Sequence, residues 1–255
     1  MSLSQIPNTR GEISSAIDIL IIEYNQITEE IQAFEHFREK VSNISTKIES
    51  RNSINNFSCQ QKSTVEGTSK VRTAYRDSIM SVSHYEEEYG DTYLSSINEE
   101  LGPDLATALT ESSELNPISK SALINQIDNT IEGRKQLRKT VQSEQDSIES
   151  TYNELYDIGK FINQCSEYKI SSLNNDQIVE FESTLSNNVE MLDEISVTRQ
   201  QDLHKIQKSS QTNKASSDLH SYFYQSISTD YPVLETIGKL GRENNKLKLK
   251  LSRTN

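Results

Sequence analysis

The segment from Asn116 to about Tyr168 constrains the fold most, because its periodicity predicts one helix of about fifty residues. Asn116 suits the N-cap, and Pro117 suits the first helical position, which needs no N–H donor. Apolar side chains recur every three or four residues: Leu123, Ile127, Ile131, Leu137, Val141, Ile148, Tyr152, Leu155, Ile158, Ile162 and Cys165. Burying a large apolar side chain stabilises a protein by roughly 1.5–3 kcal/mol, so other helices must cover this stripe.

Two further long periodic segments are the expected partners. The first predicts a helix over residues 10–49, with apolar positions at Ile13, Ile17, Leu20, Tyr24, Ile27, Ile31, Phe34, Val41 and Ile48. The second follows a polar turn near residues 171–175, so residues 116–208 predict a long antiparallel hairpin. We therefore predict an all-α protein, an elongated antiparallel helical bundle or coiled coil with three long helices plus short helices.

The rest of the chain predicts shorter elements within a single domain, residues 1–255. A flexible loop is expected over residues 50–66, which are rich in Ser, Asn and Gln, and short helices over 67–110. The first of these, from Thr68 to Tyr89, should end at Gly90, and the turn at Gly102 and Pro103 should separate two more. C-terminal helices are expected over 215–252. The alternation of Lys and Leu from Lys246 to Leu251 favours a frayed or solvated terminus.

Composition narrows the class of protein. Hydrophobic residues make up 33% of the chain, mean hydropathy is −0.68 and Trp is absent, which favours narrow apolar seams between helices. A net charge of −12 and a pI of about 4.9 disfavour nonspecific binding to nucleic acid or anionic membrane. Two distant cysteines and the lack of a signal peptide or membrane-spanning run make a reducing cytoplasm the expected location.

Residues 71–109 resemble an uncharacterised family of helical proteins from halophilic archaea, known as a domain of unknown function. The resemblance is carried by VRTAYRDSIMSVSHYEEEYG, by EELGPDLATAL and by the YPVL sequence at 231–234. It implies an all-helical, acidic, intracellular protein with no assigned activity. The matching positions are Arg72, Tyr75, Arg76, His84, Tyr85, Glu88, Tyr89, Gly102 and Pro103.

The first seven of these positions form a candidate interaction surface: Arg72, Tyr75, Arg76, His84, Tyr85, Glu88 and Tyr89. His84 and Glu88 are spaced to share one helix face, which allows a cation-binding interpretation. Consecutive glutamates diverge by about 100° on a helix, however, so we favour glutamates on a solvated face and tyrosines in an apolar seam with their hydroxyls at its rim. Arg72 and Arg76 could grip a phosphate or carboxylate, although pairing with nearby acids is the commoner outcome.

Charge is segregated along the middle of the chain. No Lys or Arg lies between Arg76 and Lys120, while ten carboxylates do. The next helix carries a basic group, Arg134, Lys135, Arg138 and Lys139. We expect an intramolecular match between the two; docking of a basic partner and simple screened surface charge are the alternatives.

The sequence predicts no catalytic, cofactor-binding or metal-ligating residues. It lacks GxGxxG, GxxxxGK[ST], HExxH, ExxH and GxSxG, and its four histidines are scattered. A nonenzymatic protein–protein interaction or scaffolding module is the favoured function. The long apolar stripes offer more positions than one chain is expected to cover, which predicts a homodimer. The alternative is a nucleic-acid- or membrane-associated regulator that uses the basic tail, residues 239–255, whose net charge is +5.

Overall fold

The computed structural model describes residues 9–46, 67–112, 114–167, 173–210 and 219–253. Within these ranges the regular elements are helical and no strand is present. The α-helices are α1 (Thr9–Ser42), α2 (Gly67–Arg76), α3 (Tyr85–Glu88), α4 (Tyr93–Leu101), α5 (Pro103–Glu111), α6 (Pro117–Glu167), α7 (Asn175–Ser210), α8 (Leu219–Phe223) and α9 (Pro232–Ser252). The all-α prediction is confirmed, and α1, α6 and α7 are the three long helices expected. Coiled-coil geometry stays a prediction.

Helix α6 begins as the sequence predicts. The side-chain Oδ1 of Asn116 accepts a hydrogen bond from the Ser119 N–H at 2.7 Å, and Pro117 is the first helical residue. The helix is 51 residues long. Of the eleven apolar positions in its stripe, nine are buried, and the other two, Leu137 and Tyr152, are half-buried. One chain therefore covers the whole stripe.

Helix α1 ends at Ser42 rather than near Glu49. The Lys120 ammonium donates to the carbonyls of Ser42 and Ile44, both at 2.7 Å, which satisfies acceptors left open at a helix end. The residues that follow are rich in Ser and Asn, whose side chains compete for backbone hydrogen bonds. The predicted flexible loop, residues 50–66, lies outside the described residues.

The helix predicted from Thr68 to Tyr89 is divided into α2, a 3-10 helix at Ile79–Ser81, and α3. Ser78, with φ −120° and ψ −71°, departs from helical geometry between the first two pieces. Beyond α3, Gly90 takes a left-handed φ of 55° and donates its N–H to the Tyr85 carbonyl, as a C-cap glycine does. The turn between α4 and α5 also agrees with prediction, since Gly102 has φ 86°.

The chain forms two compact units, which we name by position. The middle unit is Asn25–Arg138, and the terminal unit comprises Met1–Tyr24 with Lys139–Asn255. The boundary falls within α1 and α6, so each of these helices contributes to both units. The single domain predicted from the sequence stays a prediction.

In the middle unit, α1 and α6 run antiparallel. Lys120 of α6 reaches the C-terminal end of α1, whereas Arg138 donates to the Thr28 hydroxyl, fourteen residues before Ser42. The short helices complete this core: the rings of Phe37 and Tyr75 meet edge to face, with centroids 5.4 Å apart.

In the terminal unit, α6 and α7 are antiparallel as predicted. Ser147 donates to Asp202 at 3.0 Å, and the rings of Phe161 and Phe181 lie 5.9 Å apart further along the pair. A reciprocal capping arrangement opens α7, since the Asn174 N–H donates to the Gln177 side chain and the Gln177 N–H to that of Asn174.

Helix α9 packs on α7, and this corrects the expectation for the C-terminus. The side-chain amide of Asn244 donates to the Leu185 carbonyl at 2.8 Å, and its oxygen lies 3.3 Å from the Asn188 amide. Leu247 and Leu251 are buried. The segment from Lys246 to Leu251 is thus part of a packed helix, because two of its three leucines, spaced four apart, share the face that meets α7.

Candidate functional site

The two candidate arginines contact the middle unit itself. Arg72 donates from Nη1 to the Leu109 carbonyl at 3.2 Å. The Arg76 guanidinium lies 5.0 Å from the centre of the Tyr93 ring, a cation–π contact. Among the residues that the structure describes, neither is paired with a carboxylate, so the expected pairing with nearby acids is not found.

Tyr75 is a core residue. It is fully buried, and its hydroxyl lies 2.8 Å from that of Ser96 on α4. Burial raises its pKa above the usual value for tyrosine. Tyr75 therefore supports the short helices and offers no exposed contact surface.

His84 and Glu88 do not act together, although their spacing places them one helical turn apart. His84 is buried with Nε2 at 3.1 Å from the Glu30 carboxylate, while Glu88 is exposed and accepts from Gln26. Within the described ranges, no group of three or more His, Cys, Asp or Glu side chains is arranged to hold a metal ion. The cation-binding interpretation of HYEEEYG gains no support.

Glu30 of α1 is the centre of a polar network in the middle unit. One carboxylate oxygen accepts from Tyr89 at 2.6 Å and lies near His84; the other accepts from Arg134 at 2.8 Å. Burial alone raises the pKa of Glu30, but Arg134 and the hydrogen bonds from Tyr89 and His84 outweigh it and leave the pKa lowered. Glu30 is thus held as a carboxylate.

Arg134 joins three helices. It donates to Glu30 of α1 and, at 2.6 Å, to Glu100 of α4, and its guanidinium lies 4.4 Å from the centre of the Phe34 ring. Burial opposes its charge, but the two carboxylates raise its pKa above the ordinary value. Side-chain exposures of 16% for Arg134, 11% for Glu30 and 22% for Glu100 leave this network partly open to water.

The rest of the basic group mostly contacts α1. Lys135 pairs with Glu35 at 2.9 Å, and Arg138 donates to Thr28. Of the acidic stretch, Glu100 is the carboxylate seen to pair with this group, through Arg134. The Arg134–Glu100 ion pair thus joins the basic group to the acidic stretch, as expected, while Lys135 pairs with a carboxylate of α1.

A cavity of about 30 Å³ adjoins this network. Apolar walls come from Phe34, Ile79 and Val82, while Tyr85, Asp91 and Glu99 add polar groups. Tyr85 is 3% exposed, and its hydroxyl has no hydrogen-bond partner among the described residues. Most buried polar groups in proteins are hydrogen-bonded, so this hydroxyl requires an explanation, as do the other buried polar atoms without a partner in the described residues, on Ser78, His84, Tyr93 and Thr236.

The terminal unit contains a second polar cluster, which is sealed. Arg199 of α7 donates to both carboxylate oxygens of Glu144 on α6, at 2.8 and 2.5 Å, and to the Ser147 hydroxyl at 2.9 Å. Tyr224 donates to the same carboxylate at 2.5 Å. Burial raises the pKa of Tyr224, and the negative charge of Glu144 adds to this effect. The side chains of Arg199 and Glu144 are 1% and 0% exposed, so this cluster is closed to solvent and serves to hold the helices together.

Cys165 is buried on the α6 stripe, as predicted. Burial raises the pKa of its thiol to about 11, so the reactive thiolate is scarce at neutral pH. Cys59 lies outside the described residues.

In the described residues this is an all-α protein. Its helices are joined by buried apolar side chains and by two clusters of polar side chains that contain ion pairs. The chain belongs to the family described as Domain of unknown function (DUF7260), whose model matches residues 11–247. Comparison with curated proteins and with solved structures finds no match. No described helix is long and apolar enough to cross a membrane.

Proposed function

We propose that the protein is a nonenzymatic protein-interaction module whose middle unit docks a basic partner protein. The observation that carries this proposal is the exposure of the acidic stretch in the middle unit. Eight of its ten carboxylates are exposed, and we call them the acidic surface: Asp77, Glu86, Glu87, Glu88, Glu99, Asp104, Glu111 and Glu114.

The arrangement of the basic group supports docking over internal neutralisation. Lys135 and Arg138 contact α1, and Arg134 is shared between Glu30 and Glu100. The acidic surface thus keeps a concentrated negative field, which would steer a positively charged partner towards it and would weaken as salt screens it.

A lysine-rich peptide tests the proposal. The test variant neutralises four carboxylates of the acidic surface, Glu86→Gln, Glu87→Gln, Asp104→Asn and Glu111→Gln. A matched control neutralises four exposed carboxylates of the terminal unit, Glu154→Gln, Asp157→Asn, Glu190→Gln and Asp193→Asn. Both have the same net charge, so overall charge cannot distinguish them.

Fluorescence anisotropy at low and moderate salt should show the peptide losing about tenfold or more in affinity for the test variant. The control should lose much less, because exposed charges act mainly within a Debye length of about 10 Å at 0.1 M salt. Equal losses would mean that the peptide responds only to net charge and would overturn the proposal.

A second candidate function rests on the outer side of α9. Leu249 is 58% exposed, Arg242 and Lys246 are exposed on the same helix, and the exposed Arg253 is its C-cap. A basic helix face with an apolar side chain suits an anionic lipid surface or nucleic acid. Under this alternative, the combined substitutions Arg242→Gln, Lys246→Gln and Arg253→Gln, which keep the buried leucines in place, would abolish binding to anionic vesicles or to DNA. Binding by the parent chain would fall steeply with salt.

A homodimer, a cytoplasmic location and a halophilic origin stay predictions. The α1 stripe does not leave a surplus of apolar surface for a homodimer, because six of its eight described positions are buried and the other two, Ile17 and Tyr24, are half-buried within one chain. Any dimer must therefore use a surface other than these stripes. Light scattering over a range of protein concentrations would decide the oligomeric state.

A further inference from the structure

We infer that the cavity of the middle unit, walled by Phe34, Tyr85, Asp91 and Glu99, binds a primary ammonium group, such as the end of a lysine side chain from the docked partner. This inference deepens the proposed function by naming what the acidic surface recognises. It begins from Tyr85, a residue of the cavity wall whose hydroxyl is buried without a hydrogen-bond partner among the described residues.

The surroundings of this hydroxyl show what kind of ligand it can meet. The Ser96 hydroxyl is close enough to act on it and favours a lower pKa of Tyr85, but the two groups do not reach hydrogen-bond geometry, and the Ser96 hydroxyl lies 2.8 Å from that of Tyr75. The carboxylates that act electrostatically on the Tyr85 hydroxyl include Asp91 and Glu100, which also line the cavity. The hydroxyl therefore lies among acceptors, and a ligand that donates several hydrogen bonds suits this environment.

Charge favours a cation. The wall includes the carboxylates of Glu30, Asp91, Glu99 and Glu100 against the single guanidinium of Arg134. That guanidinium is already balanced by Glu30 and Glu100, at 2.8 and 2.6 Å, so Asp91 and Glu99 remain to balance a bound cation. An ammonium group has three donors and no acceptor, which matches a hydroxyl oxygen and two carboxylates.

Size favours an ammonium over a guanidinium. The cavity volume of about 30 Å³ corresponds to roughly two water-sized spheres, since one needs about 10–15 Å³. An ammonium and its neighbouring methylene group fill such a space, whereas the planar guanidinium is larger. Ile79 and Val82 supply apolar wall for the methylene.

The test uses n-butylammonium as the probe and the full chain as the target. Amide chemical shifts of Val82, Tyr85 and Ser96 are followed by NMR during the titration. We expect saturable shifts with a dissociation constant on the order of millimolar, which is reasonable for a ligand of five heavy atoms. The neutral isostere 1-butanol and free guanidinium should produce shifts at least about tenfold weaker in apparent affinity.

Two variants locate the binding site. Tyr85→Phe removes the orphaned hydroxyl but keeps the ring, and Asp91→Asn removes a wall charge at constant shape. Each should weaken n-butylammonium binding about tenfold, the loss of one hydrogen bond to a charged group. Glu154→Gln, an exposed carboxylate of the terminal unit, should bind as the parent chain does. Unsaturable shifts, equal binding by all three variants or occupation by ordered water alone would overturn the inference.

The source of the ammonium and the proposed function are tested separately. An Nα-acetyl-lysine amide that binds as well as n-butylammonium would identify a partner's lysine, whereas binding of n-butylammonium alone would identify a free amine. If the lysine-rich peptide binds the acidic surface but n-butylammonium does not saturate the cavity, this inference fails and the proposed function stands. If n-butylammonium binds and the peptide does not, the proposed function fails and the ammonium site stands.

Discussion

The two polar clusters of this protein use the same chemistry to different ends. In the terminal unit, Arg199 and Glu144 are enclosed, and Ser147 and Tyr224 satisfy their remaining hydrogen-bonding groups. In the middle unit, Arg134 is shared between two carboxylates that remain partly exposed, beside a cavity with an orphaned hydroxyl.

The enclosed cluster of the terminal unit contributes to packing, whereas the partly open cluster of the middle unit has the features of a binding site. A buried ion pair keeps its geometry because breaking either partner leaves an uncompensated charge, but it offers nothing to a ligand. The middle cluster has more acceptors than donors and an adjoining space, so an additional donor can enter. Mutations in the two clusters should therefore affect different properties, and the following predictions test that division in order of decreasing effect.

The largest expected effect is on stability in the terminal unit. Arg199→Leu removes the guanidinium that balances the buried Glu144 carboxylate, which should lower the free energy of unfolding by about 3–5 kcal/mol in urea denaturation. The double variant Glu144→Leu with Arg199→Leu should recover much of that loss, because it removes both charges. A double variant as unstable as Arg199→Leu would show that packing of the long side chains, rather than the unpaired charge, dominates.

The corresponding change in the middle unit should cost less. Arg134→Leu leaves Glu30 and Glu100 without their cation, but both reach water, so we expect a loss of about 1–3 kcal/mol. Urea denaturation beside Arg199→Leu gives the direct comparison. If Arg134→Leu costs as much as Arg199→Leu, the middle cluster is as sealed as the terminal one and the division between the two fails.

Acid should reduce the effect of Arg134→Leu. The folded-state pKa of Glu30 is lowered from 4.5, so its contribution to stability is present above that value and is lost as pH falls through the folded pKa. In Arg134→Leu, burial acts on Glu30 without the opposing guanidinium, which raises the pKa of Glu30 and favours its protonated form as the pH falls. The stability difference between parent and variant, measured by denaturation from about pH 7 to about pH 3, should therefore shrink. A constant difference would argue against the charge pairing.

These clusters also show what the sequence does and does not reveal. Apolar periodicity predicts α6 and its pairing with α7, because burial of a stripe depends on local spacing alone, and the residue types of Asn116 and Pro117 predict where α6 begins. Glu144 occupies a stripe position between Val141 and Ile148, and Arg199 follows Ile195 by four residues; both are buried. A search for apolar spacing does not detect charged residues at such positions. A charged residue at a position where the spacing predicts an apolar one is the sequence signal for a buried ion pair.

The candidate site was only partly predictable for a related reason. His84, Tyr85 and Tyr89 were singled out in the sequence, and the structure places them in or beside the middle cluster. Glu30 was missed because it lies more than fifty residues earlier in the chain, and its partners are brought together only by tertiary packing. The break at Ser78 was also missed, since the apolar spacing continues through the 3-10 helix.

The smallest stability effect should come from a pair of tyrosines that differ in their partners. Tyr224→Phe removes a hydrogen bond to the buried Glu144 carboxylate and should cost about 1.5–3 kcal/mol, the value for hydrogen bonds to charged groups. Tyr85→Phe removes a hydroxyl without a partner and should change stability by less than about 0.5 kcal/mol, or even increase it, because an unsatisfied buried group disappears. Thermal denaturation of both variants measures the contrast. A cost of Tyr85→Phe similar to that of Tyr224→Phe would mean that the Tyr85 hydroxyl is already satisfied in solution, which would remove the reason for assigning it to a ligand.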